Sequence, residues 1–143
     1  MSNSNTLIDH LNLPSKKKDL DWIKKTLQSA IELEHATLPL YLSTMFSLEV
    51  QNYTTYNLIR SVVMEEMVHM AISCNILSSL GGKPTIKNLS PKFPGHGLPG
   101  GVEPDIEVVL TRLSIPQLKN FMRLESPTFL LPDEFKQEEY PSI

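Results

Sequence analysis

Two segments of the chain repeat apolar residues at intervals of three and four, the spacing that predicts amphipathic helices. The first predicted helix runs from about Asp19 to about Gln51, and the second from about Thr55 to Leu80. Their apolar stripes are Leu20, Ile23, Leu27, Ala30, Leu38, Tyr41, Met45 and Leu48 in the first, and Leu58, Val62, Ile76 and Leu80 in the second. The polar segment 51–55 between them predicts a turn, so the two helices are expected to form an antiparallel pair.

Ionisable side chains interrupt both stripes near the middle. Glu34 lies on the first, and Glu66 and His69 lie on the second. A Glu-x-x-His spacing puts both groups on one face of a helix. Carboxylates are almost never fully buried unless their charge is compensated, and a bound metal ion is one such compensator. The alternative is a core histidine that bonds to Glu66 without any metal.

The turn near residues 51–53 brings Glu34 opposite residues 68–70, within about one helical turn, ~5.4 Å, of Glu66 and His69. Three candidate metal ligands are therefore expected at one level of the helix pair. The alternative for Glu34 is a surface carboxylate at the edge of its stripe. Glu32 and His35 are rotated from Glu34 by about 200° and about 100° and point elsewhere.

The second helix is followed by a long loop over residues 83–105. Gly81 and Gly82 are expected to stop the helix, because glycine readily adopts the left-handed conformation of a helix end. The segment 92–101 is too rich in proline and glycine to predict regular structure. Residues 106–113 are β-branched and predict an extended segment or a short strand.

A third, shorter helix is predicted from a capping box at Ser114 and Gln117, and it runs to about Glu125. Glu125 falls on the apolar side of this helix and is a candidate fourth metal ligand. The alternative is a carboxylate that reaches solvent near the helix end. The predicted organisation is a polar lead-in over residues 1–18, a helical domain over 19–127 and an irregular acidic tail over 128–143.

Composition is ordinary for a soluble globular domain: 143 residues, 41% hydrophobic, 20% charged, with a net charge of −3. The single short basic run, 16–18, does not predict nucleic-acid binding. No stretch approaches the ~20 apolar residues of a membrane span. The N-terminus has no signal-peptide pattern, and the one cysteine, Cys74, cannot form an internal disulfide. A cytoplasmic protein without membrane or nucleic-acid partners is expected.

The chain resembles the ferritin-like domain family associated with iminophenyl-pyruvate dimer synthase, of the violacein-pathway type. The resemblance rests on residues 30–41, 65–71, 80–84, 98–101 and 121–127. It implies an all-α, ferritin-like antiparallel bundle with two long helices and a shorter third. Such bundles hold two metal ions with one Glu from each of two helices and a Glu-x-x-His pair from each of the other two.

Glu34 and the Glu66/His69 pair match half of that pattern, and Glu125 matches the third-helix glutamate. The second Glu-x-x-His pair is not matched, and the chain stops at residues 140–143, about where the family continues with a further helix. Either the chain is a fragment or the fourth helix comes from elsewhere. A homodimer would duplicate the three ligands by two-fold symmetry, and a partner segment is the alternative.

Carboxylates with one imidazole suit iron, with manganese as a second choice, better than structural zinc. The expected function is a non-haem di-iron carboxylate protein, an iron-dependent oxidoreductase of ferroxidase type. One alternative is a biosynthetic oxygenase or imine-coupling enzyme, in which the long loop covers a small aromatic or amino-acid-derived substrate. The other is a non-catalytic bundle without metal.

Overall fold

The computed structural model describes residues 7–49, 52–87, 89 and 91–126. Its helices are α1 (Leu7–Leu11), α2 (Leu20–Phe46), α3 (Tyr53–Ser79) and α4 (Ile115–Glu125), and its strands are β1 (Gly95–Leu98) and β2 (Val102–Val108). Single 3-10 turns occupy Ser15–Lys17 and Pro99–Gly101. The predicted fold of two long helices and a shorter third is confirmed. The acidic tail predicted over 128–143 lies outside the described residues.

Local signals fix the ends of the long helices. The Asp19 side chain accepts a hydrogen bond from the Trp22 backbone N–H at 2.8 Å, so α2 begins where the sequence predicted. It ends at Phe46, earlier than the predicted end at Gln51. Asn52 caps α3, and the chain leaves α3 through Gly81, whose φ is +75°. Glycine adopts this conformation without steric cost, which explains the stop.

The pairing of α2 with α3 forms most of the helical core, but its faces are rotated from those the sequence suggested. Along α3 the buried positions are Ile59, Val63, Glu66 and Leu77. Leu58 and Ile76, which were predicted to face inward, are 64% and 44% exposed. The prediction was wrong at these two positions because α3 is apolar on more than one side, and a wide stripe does not reveal which part of it meets α2.

A β-hairpin forms in the segment that was predicted to lack regular structure. β1 pairs antiparallel with β2, with His96 opposite Glu107 and Leu98 opposite Val102, and the register is irregular between His96 and Leu98. The glycines did not prevent pairing, because Gly97 has a φ of +66° at this irregularity. The extended segment predicted to begin at residue 106 is confirmed as part of β2.

Helix α4 and the hairpin together pack on α2. The Ser114 side chain accepts from the Gln117 backbone N–H, as the predicted capping box requires. Phe121 meets the Tyr41 ring edge-on, with the ring centroids 4.4 Å apart. Arg123 donates to Glu103 of β2, which joins α4 to the hairpin. Leu98, Ile106 and Val108 complete this layer of the core, and all three are buried in the same cluster as Phe121.

One side of α3 is apolar and accessible, and we refer to it as the open face. It consists of Leu58, Met64, Val68, Ile72 and Ile76, each between 44% and 64% exposed. His69 belongs to the same side, with 53% of its side chain exposed.

None of the helices in the described part of the chain combines the length and the apolar character that a membrane span needs.

Candidate metal centre

Helices α2 and α3 bring the three predicted ligands together. His69 Nδ1 lies 3.8 Å from Glu34 Oε2 and 3.6 Å from Glu66 Oε1. One donor atom from each of the three side chains falls within 4.8 Å of the other two. The predicted level of the helix pair is therefore confirmed: the turn length and the helical rise sufficed to align Glu34 with the Glu-x-x-His pair.

The three side chains differ in burial. Glu66 has 8% of its side chain exposed, Glu34 has 21%, and His69 has 53%. The predicted place on the apolar, inward-facing stripe is right for Glu66 and wrong for His69. The difference follows from the open face of α3, since His69 lies at its border and no described element packs over it.

The separations of the donor atoms fit a single metal ion. An ion held at roughly 2.0–2.2 Å from each ligand places its ligands about 3–4.4 Å from one another. The two measured separations from His69 Nδ1 lie in that range, so small side-chain rotations would bring all three groups onto one ion. Glu66 also needs a compensating charge, because a buried carboxylate without one is costly.

The electrostatics of the group favour a cation. Burial first, then a hydrogen bond with Glu66 and the negative charges of Glu66 and Glu125, raise the pKa of Glu34 to about 8. Without a cation, Glu34 therefore holds a proton near neutral pH. A metal ion would replace that proton, because a coordinating carboxylate must be ionised.

The sequence did not reveal Thr37, which touches the centre. Its hydroxyl oxygen lies 2.8 Å from Glu66 Oε2 and 2.8 Å from the backbone oxygen of Glu34. The side chain is 5% exposed. Thr37 lies three residues after Glu34, on the same face of α2, and this spacing to a suspected ligand is the signal that would have identified it.

Glu125 lies beside the centre and outside the close group of three. The Tyr41 hydroxyl donates to Glu125 Oε1 at 2.5 Å. Burial, followed by the hydrogen bond and the charge of Glu125, raises the pKa of Tyr41 far above its ordinary value, so the phenol remains a donor. Tyr41 is therefore a buried core residue, as its place on the apolar stripe predicted, and its hydroxyl has a partner. The role of Glu125 as a metal ligand stays a prediction.

A cavity of about 220 Å³ opens onto the centre. The three candidate ligands, Thr37, Tyr41 and Glu125 form its polar part. Its apolar part comes from Leu33 of α2, Leu98 and Val102 at the tip of the hairpin, and Leu124 of α4. The long segment after α3 therefore reaches the centre through the tip of its hairpin.

The remaining acidic and imidazole groups of interest lie apart from this group. Glu65 and His96 are exposed, and the Glu32 carboxylate accepts a hydrogen bond from Gln28. Glu32 and His35 point away from Glu34 around α2, as the helical rotation predicts, and neither belongs to the group of three.

A helix pair with two carboxylates and one imidazole at one level is found in helical bundles of the carboxylate type. The Ferritin-like family model matches residues 27–142, and the chain belongs to this family. No curated protein matches the chain, and no solved structure matches it.

Proposed function

We propose that this protein is a non-haem di-iron carboxylate protein that acts as an iron-dependent oxidoreductase. The observation that carries the proposal is the convergence of Glu34, Glu66 and His69 within 4.8 Å, inside a chain of the Ferritin-like family. Two carboxylates and one imidazole suit iron or manganese better than zinc, for which closed structural sites use thiolates and imidazoles.

Each residue of the group has a distinct part in this proposal. Glu34 and His69 would hold the metal from facing helices, and Glu66, the most buried of the three, would serve both ions of a two-metal centre. Iron held by these residues would supply the electrons for reduction of O₂ or peroxide. Burial of Glu66 and the apolar side chains around the cavity would keep bulk water from the Glu66 side of the centre, whereas His69 is half exposed.

Glu125 is the fourth ligand in our proposal. Its Oε1 is engaged by Tyr41, while the carboxylate lines the same cavity as the other three side chains. It also lies close enough for its charge to contribute to the raised pKa of Glu34. A metal ion in the cavity would relieve this repulsion, which is the physical reason for assigning Glu125 to the centre.

Anaerobic loading with Fe(II), followed by exposure to O₂, tests the function. We expect tight binding of Fe(II), then oxidation to ferric iron, which appears as near-ultraviolet absorbance. Manganese(II) should compete for the same centre. A protein that binds no metal above background would overturn the proposal and would favour a non-catalytic bundle.

A second candidate function is oxidation or coupling of a small organic substrate, because Leu33, Leu98, Val102 and Leu124 give the cavity an apolar side. Its volume of about 220 Å³ lies below the roughly 300–1,000 Å³ typical of pockets for drug-sized ligands. The size therefore favours O₂ or peroxide as the molecule that reaches the metal, and we place the ferroxidase-like activity first.

A helical partner completes the centre in this proposal, and a second copy of the chain is the occupant we favour. The open face of α3 presents apolar residues every four positions from Met64 to Ile76, beside the half-exposed His69. Two-fold pairing through this face would duplicate the four proposed ligands, so the pair would offer six carboxylates and two imidazoles, enough for the four carboxylates and two imidazoles that a two-metal centre of this class uses. A helix from another segment is the alternative occupant.

Replacing Ile72 by glutamate is expected to disrupt this pairing, because it places a charge at the middle of a buried apolar contact. The wild-type protein should have the solution mass of a dimer and bind one ion per chain, whereas Ile72→Glu should be a monomer that binds metal weakly. Met122→Glu is the matched control, since Met122 is a 69% exposed apolar residue on α4. A monomeric wild type with two tightly bound ions would contradict the pairing.

A further inference from the structure

We propose that Thr37 is a positioning residue for the metal centre: its hydroxyl fixes one oxygen of Glu66, so that the other oxygen faces the ligand group. This inference rests on the proposed metal-binding function. Thr37 does not itself bind the ion in this proposal. Its hydroxyl is not needed to form helix α2, and the contact with Glu66 gives it a function.

The two oxygens of the Glu66 carboxylate have different neighbours. Oε2 lies 2.8 Å from the hydroxyl oxygen of Thr37, and Oε1 lies 3.6 Å from His69 Nδ1. The contact with Thr37 joins α2 to α3 across 29 positions of sequence and is buried. The carboxylate plane is thereby set with one oxygen toward α2 and the other toward the candidate ligands.

A carboxylate needs such a contact to keep one orientation. The last torsion of a glutamate side chain is broad, so packing alone leaves the plane of the carboxylate free to turn. The single hydroxyl hydrogen of Thr37 has two acceptors at 2.8 Å, Glu66 Oε2 and the backbone oxygen of Glu34. The ionised carboxylate is the stronger acceptor, since hydrogen bonds to charged groups are stronger than neutral ones.

The consequence is a preorganised ligand. With the hydroxyl removed, Glu66 would lose the partner of a buried oxygen, and its carboxylate would be free to turn. This change opposes metal binding, which requires an oriented ligand. Loss of an outer hydrogen bond to a metal ligand typically lowers affinity by about 10- to 100-fold.

Calorimetric titration with Mn(II) under anaerobic conditions tests the proposal on the full chain. Thr37→Val keeps the branched shape and removes the hydroxyl, and we expect its Kd for Mn(II) to rise about 10- to 100-fold. Thr37→Ser keeps the hydroxyl, and we expect its Kd to stay within about threefold of the wild-type value. The electron paramagnetic resonance spectrum of bound Mn(II) should change in Thr37→Val and be retained in Thr37→Ser.

Thr44→Val provides the matched control. Thr44 is a fully buried threonine two helical turns further along α2, and its hydroxyl donates to the backbone oxygen of Thr111 instead of a carboxylate. This variant should lower the melting temperature without changing the Kd for Mn(II). Equal Kd values for wild type and Thr37→Val would overturn the positioning function. Absence of Mn(II) binding by the wild type would instead overturn the metal-binding function on which it rests.

Discussion

Alanine at position 66 or at position 69 is expected to abolish tight metal binding and to leave the helical fold intact. Glu66 is the most buried ligand candidate and His69 is the only imidazole in the group of three. With either removed, two donors remain, so we expect the Kd for Fe(II) or Mn(II) to rise by more than about 100-fold. Metal analysis after gel filtration measures the binding, and far-ultraviolet circular dichroism measures the retained helix.

The neighbouring residue Glu65 makes a close control for this result. It is exposed on the same helix, one position before Glu66, and lies outside the ligand group. Glu65→Ala should therefore bind iron as the wild type does, and so should His96→Ala in the hairpin. Wild-type iron content in both Glu66→Ala and His69→Ala would mean that the metal is held elsewhere or that the group binds none.

The position of the centre could be predicted because it depends on quantities that the sequence contains. The helical period places Glu66 and His69 on one face, and the turn before α3 fixes which residues of α2 lie opposite. An error of a few residues in the end of α2 did not matter. Helix α2 ends at Phe46 instead of the predicted Gln51. Even so, Glu34 Oε2 lies 3.8 Å from His69 Nδ1, as the predicted alignment requires.

The burial of each position could not be predicted in the same way. Periodicity shows that α3 has an apolar stripe, but it does not show how many neighbours share that stripe. Ile59 and Leu77 meet α2, whereas Leu58 and Ile76 lie on the open face. The exposure of His69 has the same cause, because His69 lies beside the open face. Hydrophobic residues that exceed what one partner helix can cover are typical of a helix that packs against a second partner.

Long-range contacts were equally invisible in the sequence. The contact of Thr37 with Glu66 spans 29 positions and that of Tyr41 with Glu125 spans 84. The spacing from Glu34 places Thr37 on the ligand face of α2, but neither contact itself follows from a local pattern, because each depends on how two helices are placed relative to each other. The hairpin could not be predicted either, because segments rich in glycine and proline usually lack regular structure. In the fold, Gly97 adopts a positive φ where the register of β1 and β2 is irregular.

Metal-free protein is expected to become less stable as the pH rises from about 5 to about 8. Glu34 has its pKa raised from the ordinary 4.5 to about 8 in the folded state. Between these values the folded chain holds a proton that the unfolded chain has lost, so the free energy of unfolding falls with increasing pH. Solvent screening at the partly exposed Glu34 reduces the effect, and we expect the melting temperature to fall on the order of 5 °C.

Glu34→Gln isolates this contribution from other titrating groups. Glutamine does not ionise, so the variant should lose the part of the pH dependence that comes from position 34. Melting curves of both proteins at pH 5.5 and 8.5, after treatment with a chelator, make the comparison. A wild type whose melting temperature falls no more than that of Glu34→Gln would show that Glu34 is not held protonated in the folded chain.

Saturating Mn(II) should remove this dependence in the wild-type protein, because the metal-bound folded chain and the unfolded chain then both lack the Glu34 proton. The ion displaces the Glu34 proton, so below about pH 8 binding competes with protonation and weakens by up to about tenfold for each unit of pH. Stabilisation by the metal should thus be small at pH 5.5 and large at pH 8.5, where the ionised carboxylates otherwise repel one another. Repulsion between the ionised carboxylates thus lowers the stability of the metal-free fold and favours binding of the metal ion. Glu34→Gln should show neither the loss of stability nor the gain in metal affinity as the pH rises.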